Sequence, residues 1–236
     1  MNSNKPIKKK YDKKTGRLLF TKQMKKEFTI LFPMMAPIHF RIIQQVFSSY
    51  GYKAELLETT SPDIAQTGLK YIHNDTCYPA ILSLGQLINA VQSGKYDVNK
   101  VALMITQTGG GCRATNYVAF LKKAFKEAGL SKIPIISLNA VGLEKQPGFK
   151  LSVGLLKKAL MALVYGDLFM RVLYATRPYE KVEGSADALY EKWNKKAKEN
   201  FKNGKLNEFK KNIKGIIKEF DELERKDVVK PKVGLV

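Results

Sequence analysis

The sequence predicts an α/β fold: a doubly wound, mostly parallel sheet with a C-terminal helical segment. Short apolar, β-prone runs recur at 28–32, 53–57, 101–105 and 133–137. Val101–Ile105 is continuous rather than alternating, as a strand buried on both faces is. Segments with helical spacing lie between the runs, and strands that alternate with helices build parallel sheets with right-handed crossovers.

Each element follows from its residues. Residues 1–26, crowded with lysine at Lys8–Lys10, Lys13–Lys14 and Lys25–Lys26, read as a basic flexible tail. The α/β domain carrying both cysteine motifs is expected at 27–154. Phe28–Phe32 is its first strand, and Pro37 suits the first turn of a helix, with Ile38, Ile42, Ile43 and Val46 on one face and Gly51 at its end. Lys53–Leu57 is a second strand. Ser61-Pro62-Asp63 is a helix start signal, and a further helix begins around Pro79, carries Ile81, Leu84, Leu87, Ile88 and Val91, and stops at Gly94. Val101–Ile105 reads as a buried strand. A glycine-rich turn leads into a helix at about 114–128, and Ile133–Ser137 is the fourth strand.

Beyond Gly148 the pattern changes. Leu155–Tyr174 is one long helical run that Arg177-Pro178 ends. Residues 186–226 are charged and helix-favouring, so 155–227 reads as a helical segment. The last residues, 228–236, turn β-prone again and resemble the start of a further, truncated strand.

Composition narrows the classes. No apolar run is long enough to cross a bilayer, and the N-terminus lacks the apolar stretch of a signal peptide; a cytoplasmic protein without a membrane partner is expected. The chain carries 41 Lys and Arg against 21 Asp and Glu, a net +20. Such a field attracts nucleic acid, an acidic protein or an anionic thioester. The basic residues lie mainly in the tail and the helical end rather than interleaved with aromatics on one element, which disfavours a dedicated nucleic-acid site.

The chemistry centres on the two cysteines. A pair in 236 residues makes no disulfide framework. Cys77 stands in Asn74-Asp-Thr-Cys-Tyr-Pro79 just ahead of a helix, and Cys112 in Gln107-Thr-Gly-Gly-Gly-Cys-Arg-Ala-Thr-Asn-Tyr117 between a strand and a helix. Helix N-termini stabilise thiolates, and in open α/β sheets ligands gather at the carboxyl ends of strands. Gly109, Gly110 and Gly111 let backbone approach a bulky group closely. Arg113, Asn116, Gln107 and His73 are further candidates for the same crevice. His39 and Tyr78 read as structural. From the residues alone, metal ligands, inert buried thiols and a redox dithiol all remain open, since the cysteine spacing matches neither zinc fingers nor ferredoxins.

Taken together, the two motifs resemble the 2-hydroxyacyl-CoA dehydratase and activase family, most closely the dehydratase-like region of long activase proteins. Gly85-Gln86, Phe32-Pro-Met-Met-Ala-Pro-Ile-His-Phe40, Pro134–Asn139, Tyr165-Gly-Asp167 and Arg177-Pro-Tyr-Glu180 extend the resemblance from about Glu27 to the C-terminus. It implies a [4Fe-4S] cluster with Cys77 and Cys112 as thiolate ligands. It also implies a separate ATP-dependent activator that injects a low-potential electron, and a CoA thioester as the molecule reduced or dehydrated. Family subunits use three cysteines per cluster, and this chain has two; the resemblance therefore implies either remaining domains of a larger protein or a homodimer that shares the cluster. Neither a Walker loop nor an actin-like phosphate loop is present, so ATP hydrolysis is not expected of this chain. The other readings are a basic binding module without enzymatic activity and a Cys77/Cys112 thiol redox sensor.

Overall fold

A computed structural model of the chain describes residues 7–108, 110–139, 146–231 and 233–234, leaving out the side chains of Arg113 and Asn139. The protein is mixed α/β and falls into two compact units, the first formed by 1–40 and 50–152, the second by 41–49 and 153–236.

The first unit is built on a four-stranded parallel sheet of β3 (Thr29–Pro33), β4 (Lys53–Leu57), β5 (Val101–Gln107) and β6 (Ile135–Asn139), in the order β4-β3-β5-β6. Alternate residues point to opposite faces of each strand. Leu31, Leu103, Ile105 and Ile135 share a core with Leu84, Leu87 and Ile88 of α4 (Tyr78–Gln92) and Leu121 and Phe125 of α5 (Tyr117–Glu127). Ile30, Phe32, Ala102, Met104 and Ile136 of the other face are buried as well. This explains why Val101–Ile105 reads as a continuous apolar run. Each fully buried side chain of this size contributes about 1.5–3 kcal/mol.

α3 (Asp63–Tyr71) lies against α4 at backbone contact. A Cβ on Gly85 would strike the Ile64 carbonyl and the Gly68 backbone, and one on Gly68 would strike the Ile81 carbonyl. Only glycine allows this approach. Gln86 of α4 then ties the strand ends together: its side chain accepts from Met34 N–H at 2.9 Å and donates to the carbonyls of Leu57 at 2.9 Å and Thr59 at 2.8 Å.

The expected flexible tail is a correction. Within its described part the chain forms a hairpin, β1 (Lys10–Tyr11) with β2 (Leu18–Leu19), followed by α1 (Lys22–Glu27). Leu18, Phe20 and Met24 are buried, and three well-spaced anchors hold a segment whose remaining positions are lysine-rich. Asp12 closes the hairpin turn, accepting from Lys14 N–H, Thr15 N–H and the Thr15 hydroxyl. Residues 1–6 lie outside the described residues.

The second unit contains the later part of α2 (Pro37–Ser49) with α6 (Val153–Thr176), α7 (Ser185–Asn203) and α8 (Leu206–Asp221). The charged region expected as one helical stretch is split at Gly204, which takes φ 65° and caps α7. Tyr165 is fully buried; its hydroxyl donates to Asn200 Oδ1 at 3.2 Å and accepts from Asn212 Nδ2 at 2.9 Å. The indole of Trp193 faces Gly215, where a Cβ would strike it, and its Nε1 donates to Glu219 at 3.0 Å. Glu180 accepts from the N–H groups of Gly184 and Ala186, both at 2.8 Å, at the start of α7. These amide donors hold its carboxyl below the ordinary carboxylate value.

Residues 228–231 and 233–234 form no strand, and Val229 and Val233 are exposed: a β-prone run gains nothing from extension when no sheet edge pairs with it. Residues 232 and 235–236 lie outside the described residues.

Candidate functional site

Both cysteines sit at the N-caps of helical segments. Cys77 caps α4, and its carbonyl accepts from Ala80 N–H at 2.9 Å and Ile81 N–H at 3.2 Å. Pro79 falls at the second helical position rather than the first, where a missing N–H is still tolerated. Cys112 caps the 3-10 turn Arg113–Asn116 that runs into α5; its Sγ accepts from Ala114 N–H at 3.4 Å. Both residues are exposed and reduced, which rules out a pair of buried inert thiols.

What relates them is Tyr117, the first residue of α5. Tyr117 is buried and lies close enough to both sulfurs for their charge to act on its phenol. Burial pushes the phenol up to about 12, reinforced first by Cys77 and then by Cys112. At neutral pH the phenol therefore keeps its proton. Sequence reasoning reached Tyr117 only as the end of the Cys112 motif. An aromatic residue at the first position of a buried helix reads as packing, and nothing in its spacing announces a thiol neighbour.

The loop beneath Cys112 is braced. Gln107 Nε2 donates to the Thr115 carbonyl, and Gln107 Oε1 accepts from the Ser137 hydroxyl at 3.4 Å. The Thr115 hydroxyl donates to the Gly110 carbonyl at 2.7 Å and lies 3.3 Å from that of Thr108. Gln107 thus shapes the loop. Gly110 and Gly111 are exposed, with open space where a Cβ would stand and no positive φ. Access rather than backbone strain is what glycine provides there. Gly109 and the Arg113 side chain lie outside the described residues.

The remaining candidates are placed less suggestively. His73 is exposed and engaged locally, its Nδ1 accepting from Asp75 N–H at 3.2 Å and facing the Asp75 carboxylate at 3.3 Å. Asn116 is exposed and makes no side-chain cap on α5. Tyr78, expected to pack, is 59% exposed, because its position at the start of α4 points away from the core that Ala80 and Ile81 enter. Among the described residues no group of three or more His, Cys, Asp or Glu is placed to hold a metal ion. No helix among them is long and apolar enough to cross a membrane.

No family model, curated protein or solved structure matches the chain.

Proposed function

We propose that the chain supplies Cys77 and Cys112 as two thiolate ligands of an iron–sulfur cluster of the [4Fe-4S] type, in a protein related to the 2-hydroxyacyl-CoA dehydratases and activases. The observation that carries this reading is the pair of exposed thiols, each at the N-cap of a helical segment of the sheet unit and both close enough to act on the buried Tyr117.

The donor set fits half of such a cluster. Thiolates are its natural ligands, and the Cys112 sulfur already accepts from Ala114 N–H, the kind of donor that cluster sulfurs use. A second copy of the chain, or further domains, completes the set. When bound, the cluster supplies single-electron chemistry at low potential, delivered by an ATP-dependent activator and passed to a CoA thioester. This chain's own residues do the rest. Cys77 and Cys112 hold iron, Tyr117 presents a buried phenol near both sulfurs, and Gly110 and Gly111 leave the approach open. The finer description of the sheet belongs to the same proposal. With β4 and β5 on opposite sides of β3, a doubly wound sheet has its switch point between β3 and β5, whose carboxyl ends lead toward the site. Exposed thiols that remain free also suit the reducing cytoplasm.

The test is iron and acid-labile sulfide content after anaerobic preparation and reconstitution. About four irons per pair of chains, lost in Cys77→Ser and in Cys112→Ser, is the expected result. A folded chain that retains no iron sinks the proposal.

A second reading rests on the same pair of thiols: a reversible Cys77–Cys112 disulfide acting as a redox switch. Only free thiols in mass spectra after mild oxidation would remove it.

A further inference from the structure

α6 is apolar on two sides, and its own unit uses one of them. Leu155, Met161, Ala162, Tyr165, Phe169 and Leu173 are buried. Tyr165 and Phe169 of this side pack edge-to-face on Phe201 and Tyr190 of α7 and on Phe209 of α8. The other side carries Val153, Leu156, Leu160, Leu163, Met170 and Tyr174, whose exposure runs from 40% at Met170 to 87% at Val153. Single apolar side chains on a surface are ordinary. A line of them along one helix marks a face that something covers, and a helix apolar all round belongs in an interior.

The spacing of this line is regular. Its members follow at intervals of three and four, and with Asp167 they fill every first and fourth position of the heptads from 153 to 174. A repeat of seven keeps such a seam facing a partner helix that coils with it. Asp167 is its one charged member, and a single polar residue in a seam sets register at a cost in stability. Lys157 and Arg171 flank the line and are exposed, where their stems extend the apolar surface while the charges stay in water.

We propose that this face of α6 pairs with the same face of a second copy of the chain as a two-helix seam. A second copy presents the same heptad period over the same length, and a two-fold axis makes the patch complementary to itself. The six apolar residues expose on the order of 600 Å², most of the roughly 800 Å² that each partner buries in a stable dimer. A second copy is also one way to complete the cluster proposed above, but the pairing rests on α6 alone and does not require iron.

Sedimentation velocity of the full, metal-free chain under reductant tests it. A reversible dimer is expected in the micromolar range, and equally in C77S/C112S, so that loss of iron and loss of pairing are read separately. Each copy carries a net +20, so the dimer is expected to persist or tighten as salt screens their repulsion. L160E/L163E, which changes two exposed positions, is expected to weaken the dimer about tenfold or more while keeping its circular dichroism spectrum. The milder L160A/L163A is expected to weaken it in the same direction, and Val229→Glu, at an exposed apolar residue off the seam, to leave it unchanged. A wild-type chain that stays monomeric throughout the micromolar range, a dimer that salt dissociates, or one indifferent to both seam variants would overturn the proposal.

Discussion

The two units differ in what their buried polar side chains bond. In the sheet unit the buried amides of Gln86 and Gln146 bond main-chain groups of strands and loops, and the groups capable of chemistry, Cys77 and Cys112, stand exposed at its margin. In the helical unit polar groups lie at the centre, where Tyr165, Asn200 and Asn212 bond one another among apolar neighbours. Buried and satisfied, such groups fix which helices meet. Exposed and only partly engaged, they remain able to bind something else. The first arrangement fits a site and the second fits a scaffold.

That contrast can be broken from either side. The largest effect is expected in the sheet unit from Gly85→Ala, whose Cβ collides with backbone rather than with a yielding side chain. A loss of about 3 kcal/mol in urea unfolding is expected. A loss below about 1 kcal/mol would mean that α3 and α4 separate easily. In the helical unit, Asn200→Ala removes the acceptor of the Tyr165 hydroxyl and the donor to the Lys205 carbonyl, and should cost about 2 kcal/mol by the same measurement.

Smaller effects depend on pH. Burial raises both Tyr117 and Tyr165 from the ordinary phenol value of 10.0 to about 12. The folded state therefore keeps protons that the unfolded chain releases. Their contribution to stability is fully present below pH 10 and is lost as pH rises to about 12. Tyr117→Phe and Tyr165→Phe should each flatten part of this alkaline limb in denaturation curves measured against pH. Glu180 works in the opposite direction. Its carboxyl is held below the ordinary 4.5 by the amides of Ala186 and Gly184, so its contribution is present above that value and fades as pH falls through the lowered one. Glu180→Gln should blunt the acid limb and leave the alkaline one untouched. An unchanged acid limb would show that the cap at α7 carries no stability.

The sheet was legible because β3 and most of β5 are buried on both faces, and apolar runs bounded by turn residues admit few other readings; in the edge strand β4 only Leu56 and Leu57 are buried. The N-terminal hairpin was not legible. Leu18, Phe20 and Met24 are diluted by lysines whose solvated charge says nothing about what the neighbouring side chains bury, and strands of two residues have no periodicity to detect. At the site, the caps at Cys77 and Cys112 could be read from local helix signals. Tyr117 could not, because its role depends on a thiol 40 positions away, and such a contact exists only once the sheet has brought α4 and α5 together. Gly204 was overlooked as a break because the charged residues on both sides keep the same helical preference.

Trp193 is the only tryptophan in the chain. Its indole is enclosed in the helical unit against Gly215 and hydrogen-bonded to Glu219, whereas both thiols belong to the sheet unit. Emission from one chromophore therefore follows one half of the molecule, and the rate of thiol alkylation follows the other. Recorded on the same sample, the two signals show whether the halves melt as one cooperative body or in succession, with no label added to the fluorescent side.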